Sequence, residues 1–310
     1  MQRLLTTVTL VGLLVATAAA FAVTERLKLT KSPLMKGTRV SKVFSPACGC
    51  ARRKATIRIR MRRSDDVTLR ILAESGSTVR SLVSNERAPR GINVFKWDGR
   101  TDGNVVAKDG VYRAEVHLAN QHQTILLPNR ISLDTKPPEV ANVTLNRDTF
   151  SPDGDRQSDF VRVHYELSKP AHVHLYFRGH RVLRTYRHPR TGAFSWFGKV
   201  DDGTLAQGWY TLQLGAVDAA GNKTPAAKRW PVRVHVRYIE LASKRITVRA
   251  GSRFSIGVST DAKQYRWKLG KRKSFASGPV LTLRASTFRG RYTLTVSENG
   301  HVSRATVLVK

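Results

Sequence analysis

The chain has 310 residues, of which 41% are hydrophobic and 25% are charged. That length accommodates two or three domains of ordinary size, and that composition excludes an intrinsically disordered chain. The 54 Lys and Arg residues outnumber the 22 Asp and Glu residues, and the formal charge of +32 attracts polyanions of any kind without specifying one.

The chain begins with an apolar segment. Residues 4–23 carry no charge, follow Arg3 and are about long enough to cross a bilayer. The tripeptides Ala18-Ala19-Ala20 and Ala20-Phe21-Ala22 resemble the A-x-A sites that signal peptidase cleaves. We therefore expect residues 1–23 to form a hydrophobic helix that is either a cleaved signal peptide or a membrane anchor. Either one places the protein at the extracytoplasmic side of the cell membrane or exports it.

The flanking charges leave an inverted topology open. Four cations follow the apolar segment, namely Arg26, Lys28, Lys31 and Lys36. Because positive flanks favour the cytoplasm, the protein would then be a cytoplasm-facing, membrane-anchored nucleic-acid binder. Residues 24–40 are basic and contain Pro and Gly without a clear period, so we predict a stalk or linker there.

From Phe44 onward, short runs of residues alternate between apolar and polar. Runs such as ATIRIRM (55–61), GVYRAEVHL (110–118) and GRYTLTV (290–296) are rich in β-branched or aromatic residues, and turn-forming residues separate them. One longer run, VRVHVRYIEL (232–241), also alternates. The pattern after residue 40 predicts an all-β fold built of β-sandwiches.

The sequence repeats itself at an offset of 106 residues. The tripeptide FSP at 44–46 recurs at 150–152, and the same offset aligns the apolar positions of two strands. The aligned pairs are Ile57 with Val163, Ile59 with Tyr165, Met61 with Leu167, Val67 with Val173 and Leu69 with Leu175. We predict that these residues face the cores of two equivalent domains.

Each repeat also contains a Trp-x-Gly motif followed by a Gly-x-Tyr motif. These residues are Trp97, Gly99, Gly110 and Tyr112 in the first repeat and Trp196, Gly198, Gly208 and Tyr210 in the second. Together with FSP and the DAAGN sequence at 218–222, they resemble the FlgD-type Ig-like domain. That domain is named after the flagellar hook-capping protein and recurs in secreted and surface proteins of bacteria. The resemblance covers about residues 41–225 and implies an Ig-like β-sandwich for each repeat.

The resemblance divides the chain into domains. We place two FlgD-type domains at 41–134 and 135–236, joined where Pro137 and Pro138 stiffen the backbone. Residues 237–310 lack the Trp-x-Gly motif and more weakly resemble a generic bacterial Ig-like domain. The predicted fold is therefore three tandem Ig-like β-sandwich domains behind an N-terminal hydrophobic helix.

The third domain contains the strongest functional signal. Its segment 263–273 contains the aromatic residues Tyr265 and Trp267 and the cations Lys263, Arg266, Lys268, Lys271, Arg272 and Lys273. Such a segment can bind a polyanion by charge and by stacking on rings or sugars. Alternatively, strand alternation sends both aromatic side chains inward, where Trp267 fills the core, and leaves the cations exposed.

A tight hairpin is predicted at Asn299 and Gly300.

Two loops contain candidate ligands. Cys48 and Cys50 precede the first core strand; we expect a disulfide, with unpaired thiols as the alternative, because no further cysteine completes a zinc site. The equivalent loop of the second repeat contains Asp153, Asp155 and Asp159. These oxygen ligands suit Ca²⁺, although capping of the turn is the alternative, and no other cofactor is expected.

Five histidines fall in the second repeat. They are His164, His172, His174, His180 and His188. His172 and His174 point to one face of a strand, and two neighbouring histidines can begin a zinc site. Because no acids or thiols accompany them at a fixed interval, we expect these histidines on the solvated face of the sheet.

The motifs indicate binding rather than catalysis. The chain contains no G-x-S-x-G, no H-E-x-x-H and no phosphate-binding glycine loop. We expect a non-enzymatic envelope scaffold or binding module for anionic cell-wall polymers or protein partners, held at the membrane by its N-terminal helix. Nucleic-acid binding and a flagellar-type or surface-appendage assembly role are the alternatives. A hook cap itself would have a scaffold-binding segment in place of residues 4–23.

Overall fold

The computed structural model describes residues 2–29, 34, 36–201 and 203–310, with helix side chains described over 7–23. The N-terminal helix, α1, spans Gln2–Leu29, so the helix extends into the predicted stalk. The side chains described in α1, those of residues 7–23, are all exposed. Within this described part of the chain, no helix is both long enough and apolar enough to cross a membrane.

The chain divides into two compact units, residues 1–135 and 136–310. The strands of the first unit are β1 (Arg39–Val40), β2 (Val43–Phe44), β3 (Ala55–Met61), β4 (Asp65–Ala73), β5 (Thr78–Ala88), β6 (Gly91–Trp97), β7 (Gly110–Leu118) and β8 (Gln123–Leu133). They form one sheet in the order β1-β3-β6 and another in the order β2-β8-β7-β4-β5. These two sheets are the first sandwich.

The core of the first sandwich follows the alternation of its strands. Ile57, Ile59, Met61, Val67 and Leu69 are all buried, as predicted. Their neighbours in sequence point outward, which is why cationic residues such as those of IRIR do not interrupt the core. Burial of these aliphatic side chains stabilises the sandwich by about 1.5–3 kcal/mol each.

The Trp-x-Gly motif closes the end of the first sandwich. Trp97 is fully buried and its ring lies 5.2 Å from the Phe44 ring and 4.9 Å from the Tyr112 ring. The indole Nε1 donates a hydrogen bond to the carbonyl oxygen of Arg100 at 2.8 Å, so the tryptophan is buried without losing its polar partner. Gly99 has a φ of +80° and lies against Phe44 and Pro46 of the FSP tripeptide.

The second unit contains two further sandwiches. The strands of the second sandwich are β9 (Val140–Leu145), β10 (Thr149–Phe150), β11 (Val161–Leu167), β12 (Ala171–Phe177), β13 (His180–Arg184), β14 (Thr191–Trp196), β15 (Lys199–Val200), β16 (Gly203–Thr204), β17 (Gly208–Asp218) and β18 (Trp230–Val236), with a 3₁₀ turn at Ala226–Lys228. Those of the third sandwich are β19 (Ile239–Leu241), β20 (Arg245–Val248), β21 (Arg253–Thr260), β22 (Tyr265–Leu269), β23 (Arg272–Ala276), β24 (Val280–Arg284), β25 (Gly290–Glu298) and β26 (His301–Val309).

The second sandwich repeats the strand order of the first. Its sheets run β14-β11-β9 and β10-β18-β17-β12-β13. Phe150, Trp196 and Gly198 reproduce the FSP contact: the two rings lie 5.7 Å apart and Gly198 packs against Pro152. The predicted inward residues Val163, Tyr165, Leu167, Val173 and Leu175 are all buried. The internal repeat is therefore a structural repeat.

The third sandwich has sheets in the orders β19-β21-β24 and β20-β26-β25-β22-β23. Its last hairpin turns at Asn299 (φ +42°) and Gly300 (φ +85°), which confirms the predicted turn. The prediction for Trp267 was wrong in degree: the ring is half-buried, and Tyr265, which is 1% exposed, is the aromatic residue at the centre of the core.

The predicted strand at 232–241 is two strands. The pairing of β18 ends at Val236, and β19 begins at Ile239 in a different sheet. Tyr238 packs in the core of the second sandwich and Ile239 in that of the third, so the chain changes partners while the alternation continues. Alternation alone does not reveal such a change.

A glycine pair tests the closure of the first sandwich. Gly76 (φ +87°) has open space where a Cβ would lie, whereas a Cβ on Gly99 would lie within 3.3 Å of Pro46, Leu133 and Phe44. We expect Gly76→Ala to cost ~1 kcal/mol of unfolding free energy from its positive φ, and Gly99→Ala to cost a further 1–3 kcal/mol or so from overpacking. Calorimetry of the full-length chain measures both shifts, and equal shifts would refute the packing role of Gly99.

Candidate functional site

The cations of segment 263–273 occupy two different places. Lys268 on β22 pairs with Lys273 on β23, and Arg266 pairs with Phe275. Directly paired residues on antiparallel strands point to the same side of the sheet, so these four side chains share its outer face. They are all exposed.

The same row continues across the sheet. Lys268 pairs with Thr295 on β25, and Thr295 pairs with Arg304 on β26. Strands lie about 4.8 Å apart, so Lys273, Lys268 and Arg304 form a row about 14 Å long across four strands. We define the basic face as Arg266, Lys268, Lys273, Phe275 and Arg304.

The basic face includes an exposed aromatic ring. Phe275 is 61% exposed, and the guanidinium of Arg266 lies 5.3 Å from the centre of its ring. Arg266, Lys273, Ser274 and Phe275 line a shallow cavity of about 250 Å³. An aromatic ring beside cations is the combination that binds sugars or bases within a charged polymer.

The remaining predicted polyanion ligands lie elsewhere. Lys263 and Lys271 are in the loops before and after β22, and Arg272 donates a hydrogen bond from its guanidinium to the carbonyl oxygen of Arg284 in the opposite sheet. Tyr265 and Trp267 point inward, so the stacking role predicted for them as one alternative is wrong. The cause is the inward register of these positions in β22.

Sequence reasoning did not identify Phe275 or Arg304 as part of this surface. In β26, Arg304 lies between the buried residues Ser303 and Ala305, so the alternation marks it as outward. In β23, Arg272 to Phe275 are all exposed, so no alternation marks the outward position of Phe275. Their assembly with Lys268 depends on which strands pair, and pairing between β22 and β25 is a long-range property of the fold. The sequence therefore indicates which residues of an alternating strand point outward. It does not indicate which strands combine to form the surface.

The predicted acidic ligands do come together. Asp153, Asp155 and Asp159 have carboxylate oxygens within 4.8 Å of one another, and they are the one such group of three in the described part of the chain. Asp159 accepts hydrogen bonds from the backbone N–H groups of Gly154 and Arg156, both at 2.8 Å. Asp155 accepts one from the N–H of Gln157 at 2.6 Å. The acids thus cap the turn, which does not prevent their remaining lone pairs from binding a cation.

The equivalent loop of the first sandwich is closed by a disulfide between Cys48 and Cys50. The two loops share one backbone hydrogen bond at the repeat offset: Ser45 N–H donates to Arg52 O at 3.1 Å, and Ser151 N–H donates to Ser158 O at 2.9 Å. The same loop shape is therefore held by a covalent bond in one repeat and by carboxylates in the other.

The prediction that the histidines of β12 lie on the solvated face is wrong for His174. It is 7% exposed, and burial lowers its pKa to about 4, with Arg181 and Arg184 contributing. His174 lies opposite Gly215 of β17, which has no side chain, and Arg229 and Thr224 fill the space over that glycine. The His174 Nδ1 lies 3.2 Å from the Tyr176 hydroxyl. His172 stacks on His188 at 5.0 Å, and the five histidines form no metal-binding trio among the described residues.

Comparison with known proteins identifies the first sandwich. Residues 51–122 match the family model of the FlgD Ig-like domain. The first sandwich is similar to that domain, as its signature predicts. The match covers well under half of the chain, so the extension of the resemblance to about residue 225 stays a prediction, which the shared strand order supports. No curated protein matches the chain.

Several solved structures are similar to the chain at low scores. The I67–I69 I-band fragment of titin is 11% identical with a TM-score of 0.30, and the match covers 91% of this chain and 99% of the fragment. The fibronectin(III)-like modules of CbhA from Clostridium thermocellum are 13% identical with a TM-score of 0.34, covering 66% and 92%. Bacteroides ovatus SGBP-B in complex with a mixed-linkage heptasaccharide is 14% identical with a TM-score of 0.25, covering 89% and 67%. No functional argument follows from TM-scores of this size.

The buried His174 gives the second sandwich a pH dependence. Unfolding restores the ordinary His174 pKa of 6.5. Between pH 6.5 and about 4, the unfolded chain therefore binds a proton on His174 and the folded chain does not. This site therefore lowers stability as pH falls through that range, by at most about 3 kcal/mol. We expect His174→Gln to flatten the fall in melting temperature between pH 6.5 and 4.

The control for this experiment is His180→Gln, which removes an exposed histidine from the same sheet. Only the difference between each variant and the parent chain is interpreted, because carboxylates also titrate in this range. A parent and a His174→Gln chain with parallel pH profiles would contradict the assignment.

Proposed function

We propose that the protein is an exported, non-enzymatic Ig-like binding protein whose third sandwich binds anionic polymers of the cell envelope through the basic face. The observation that carries this proposal is the row of Lys273, Lys268 and Arg304, three exposed cations in register across one sheet. A linear polyanion lying across the strands would meet all three charges in succession.

Among the residues that the structure describes, no acid lies on the outer face of this sheet to balance these cations. The outward positions of β25 and β26 that pair with one another are Arg291, Thr293, Thr295, Ser297, Val302, Arg304, Thr306 and Leu308. Lys268 and Lys273 are direct cross-strand neighbours, an arrangement that destabilises a sheet by repulsion. A bound polyanion relieves that repulsion. The relief adds to the favourable free energy of binding.

Phe275 narrows the class of polymer. Its exposed ring lies beside Arg266 at the edge strand β23, where it is accessible from solvent. A polymer whose repeating unit combines an anionic group with a sugar ring offers both a charge for the cations and an apolar ring face for the phenylalanine. We therefore favour an anionic polysaccharide or a teichoic-acid-like polymer over a polymer of charge alone.

Two features support export. Residues 4–23 are uncharged and apolar, and the apolar side chains described in α1, such as Leu13 and Phe21, are exposed. The disulfide between Cys48 and Cys50 suits an oxidising compartment. Both features are compatible with either removal or retention of the N-terminal helix, and the proposed location is the outer side of the cell membrane or the medium.

The test compares two triple variants of the full-length chain with the same net charge. One neutralises three of the four cations of the basic face (Arg266→Gln, Lys268→Gln and Lys273→Gln). The matched control neutralises three exposed cations of the same sandwich outside that face (Lys263→Gln, Lys271→Gln and Arg289→Gln). Retention on immobilised heparin, a sulfated polysaccharide, is measured at fixed salt. We expect the first variant to bind about tenfold more weakly or worse and the control to change by about twofold or less, because each cation near an anionic surface contributes ~1 kcal/mol.

Equal losses for the two triple variants would show that net charge, and not this face, accounts for binding.

Phe275→Ala separates stacking from charge: we expect it to weaken heparin binding while leaving binding to polyphosphate unchanged. Duplex DNA at matched charge is the third ligand. A clear preference for DNA, with a steep logarithmic dependence on salt, would favour the nucleic-acid alternative instead.

A further inference from the structure

The second and third sandwiches meet at a junction that contains unusual side-chain contacts. Tyr238 and His301 stack with ring centres 3.5 Å apart and planes 2° apart. Asn299, at the tip of the β25–β26 hairpin, donates a hydrogen bond from Nδ2 to the carbonyl oxygen of Asp153 at 3.1 Å. The hairpin of the third sandwich is therefore docked on the acidic loop of the second.

Two acids of the third sandwich border that loop. Glu298, the last residue of β25, has its carboxyl group in contact with that of Asp153. Asp261, which follows β21, lies close enough to Asp153 and Asp155 to feel both charges. Five carboxyl groups from two sandwiches therefore border the junction: the three of the loop lie within 4.8 Å of one another, and Glu298 and Asp261 lie beside them.

Several oxygens at this junction lack partners. Four carboxylate oxygens at the junction are inaccessible to solvent and accept no hydrogen bond of ordinary geometry: Asp153 Oδ2, both oxygens of Asp261 and Glu298 Oε2. Ser151 is 2% exposed, and its Oγ lies beside the Asp261 carboxyl group without forming a hydrogen bond of ordinary geometry. Buried polar oxygens without partners are rare in folded proteins because each one costs ~1–3 kcal/mol or more when charged.

No side-chain cation compensates these acids. Within the described part of the chain, none of the ion pairs involves any of the five. Burial, followed by the charge of Asp153, raises the pKa of Glu298 to about 7, and burial likewise raises the pKa of Asp261 to about 6. A protein with 54 Lys and Arg residues and 22 acids thus gathers five of its acids where no basic side chain pairs with them.

We propose that the junction is a Ca²⁺ site formed by Asp153, Asp155 and Asp159 of the second sandwich with Asp261 and Glu298 of the third. The five carboxyl groups and Ser151 Oγ offer oxygens, the ligands that hard cations such as Ca²⁺ prefer, and the nearby His301 ring is stacked on Tyr238. Six or more oxygens in an irregular arrangement suit Ca²⁺ better than Mg²⁺, which requires a near-octahedral set at shorter distances.

The first sandwich provides an internal comparison. At the positions of Asp153, Asp155 and Asp159 its loop has Ala47, Gly49 and Arg53, and the Cys48–Cys50 disulfide closes the loop instead. Its equivalent serine, Ser45, is also buried, but Ser45 Oγ accepts a hydrogen bond from the Ala47 N–H at 3.3 Å. The unpartnered oxygens are therefore specific to the repeat that adjoins the third sandwich, and a cation there would fix the orientation of the basic face relative to the second sandwich.

The experiment measures Ca²⁺ binding to the full-length chain after removal of divalent cations. Isothermal titration calorimetry with CaCl₂ should detect saturable binding in the range of about 1 mM or tighter, as for other extracellular Ca²⁺ modules, and Ca²⁺ should raise the melting temperature. Asp261→Asn and Glu298→Gln should each weaken Ca²⁺ binding by about tenfold or more. Glu74→Gln, which neutralises an exposed acid in the first sandwich, is the matched control.

A second readout separates loss of the site from misfolding. Because each neutral variant removes a charge from a repelling cluster, we expect Asp261→Asn and Glu298→Gln to melt higher than the metal-free parent chain and to respond little to Ca²⁺. The proposal is overturned if the parent chain shows no saturable Ca²⁺ binding, if Mg²⁺ stabilises it equally at the same concentration, or if Glu74→Gln loses as much affinity as the junction variants.

Discussion

The packing of the FSP tripeptide against the Trp-x-Gly motif determines much of the rest of the structure. In the second sandwich, Phe150 packs on Trp196 and Pro152 packs on Gly198, so the chain enters the next loop from a fixed point. That loop begins at Ser151 and contains three of the five acids at the junction, Asp153, Asp155 and Asp159. Without this anchorage the loop would have no defined position from which to contact the β25–β26 hairpin, and the junction would lose its geometry.

Charge is segregated within the second unit. Cations occupy the outer face of the third sandwich, whereas five acids of that sandwich and of its neighbour border the junction. The separation leaves the outer face without acids that would compete with an anionic ligand, and it creates at the junction a field that attracts a divalent cation. A protein with a net charge of +32 thus has a positive field at one surface and a negative field at another. The composition alone indicates only the positive one.

Local features of this fold were predictable from the sequence, and long-range ones were not. Alternation correctly placed Ile57 and Val163 in their cores, and Asn299-Gly300 correctly indicated a tight turn, because each depends on residues close together in the chain. His174 lies opposite Gly215 on another strand, and Arg229 fills the space over that glycine from a distant part of the chain. The contact of Glu298 with Asp153 and the row formed by Lys268 and Arg304 likewise depend on how strands and sandwiches are arranged, which no local pattern encodes.

The central claim is that one face of the third sandwich binds an anionic polymer. Hydrogen–deuterium exchange of the full-length chain, measured with and without a short sulfated oligosaccharide, tests it most directly because it maps the contact without any substitution. The account predicts that protection increases in β22, β23 and β26 and leaves the equally exposed cations of the first sandwich, such as Arg58 on β3, unchanged. Protection spread evenly over the basic surface of both units would contradict it and would reduce the basic face to one part of a general positive charge.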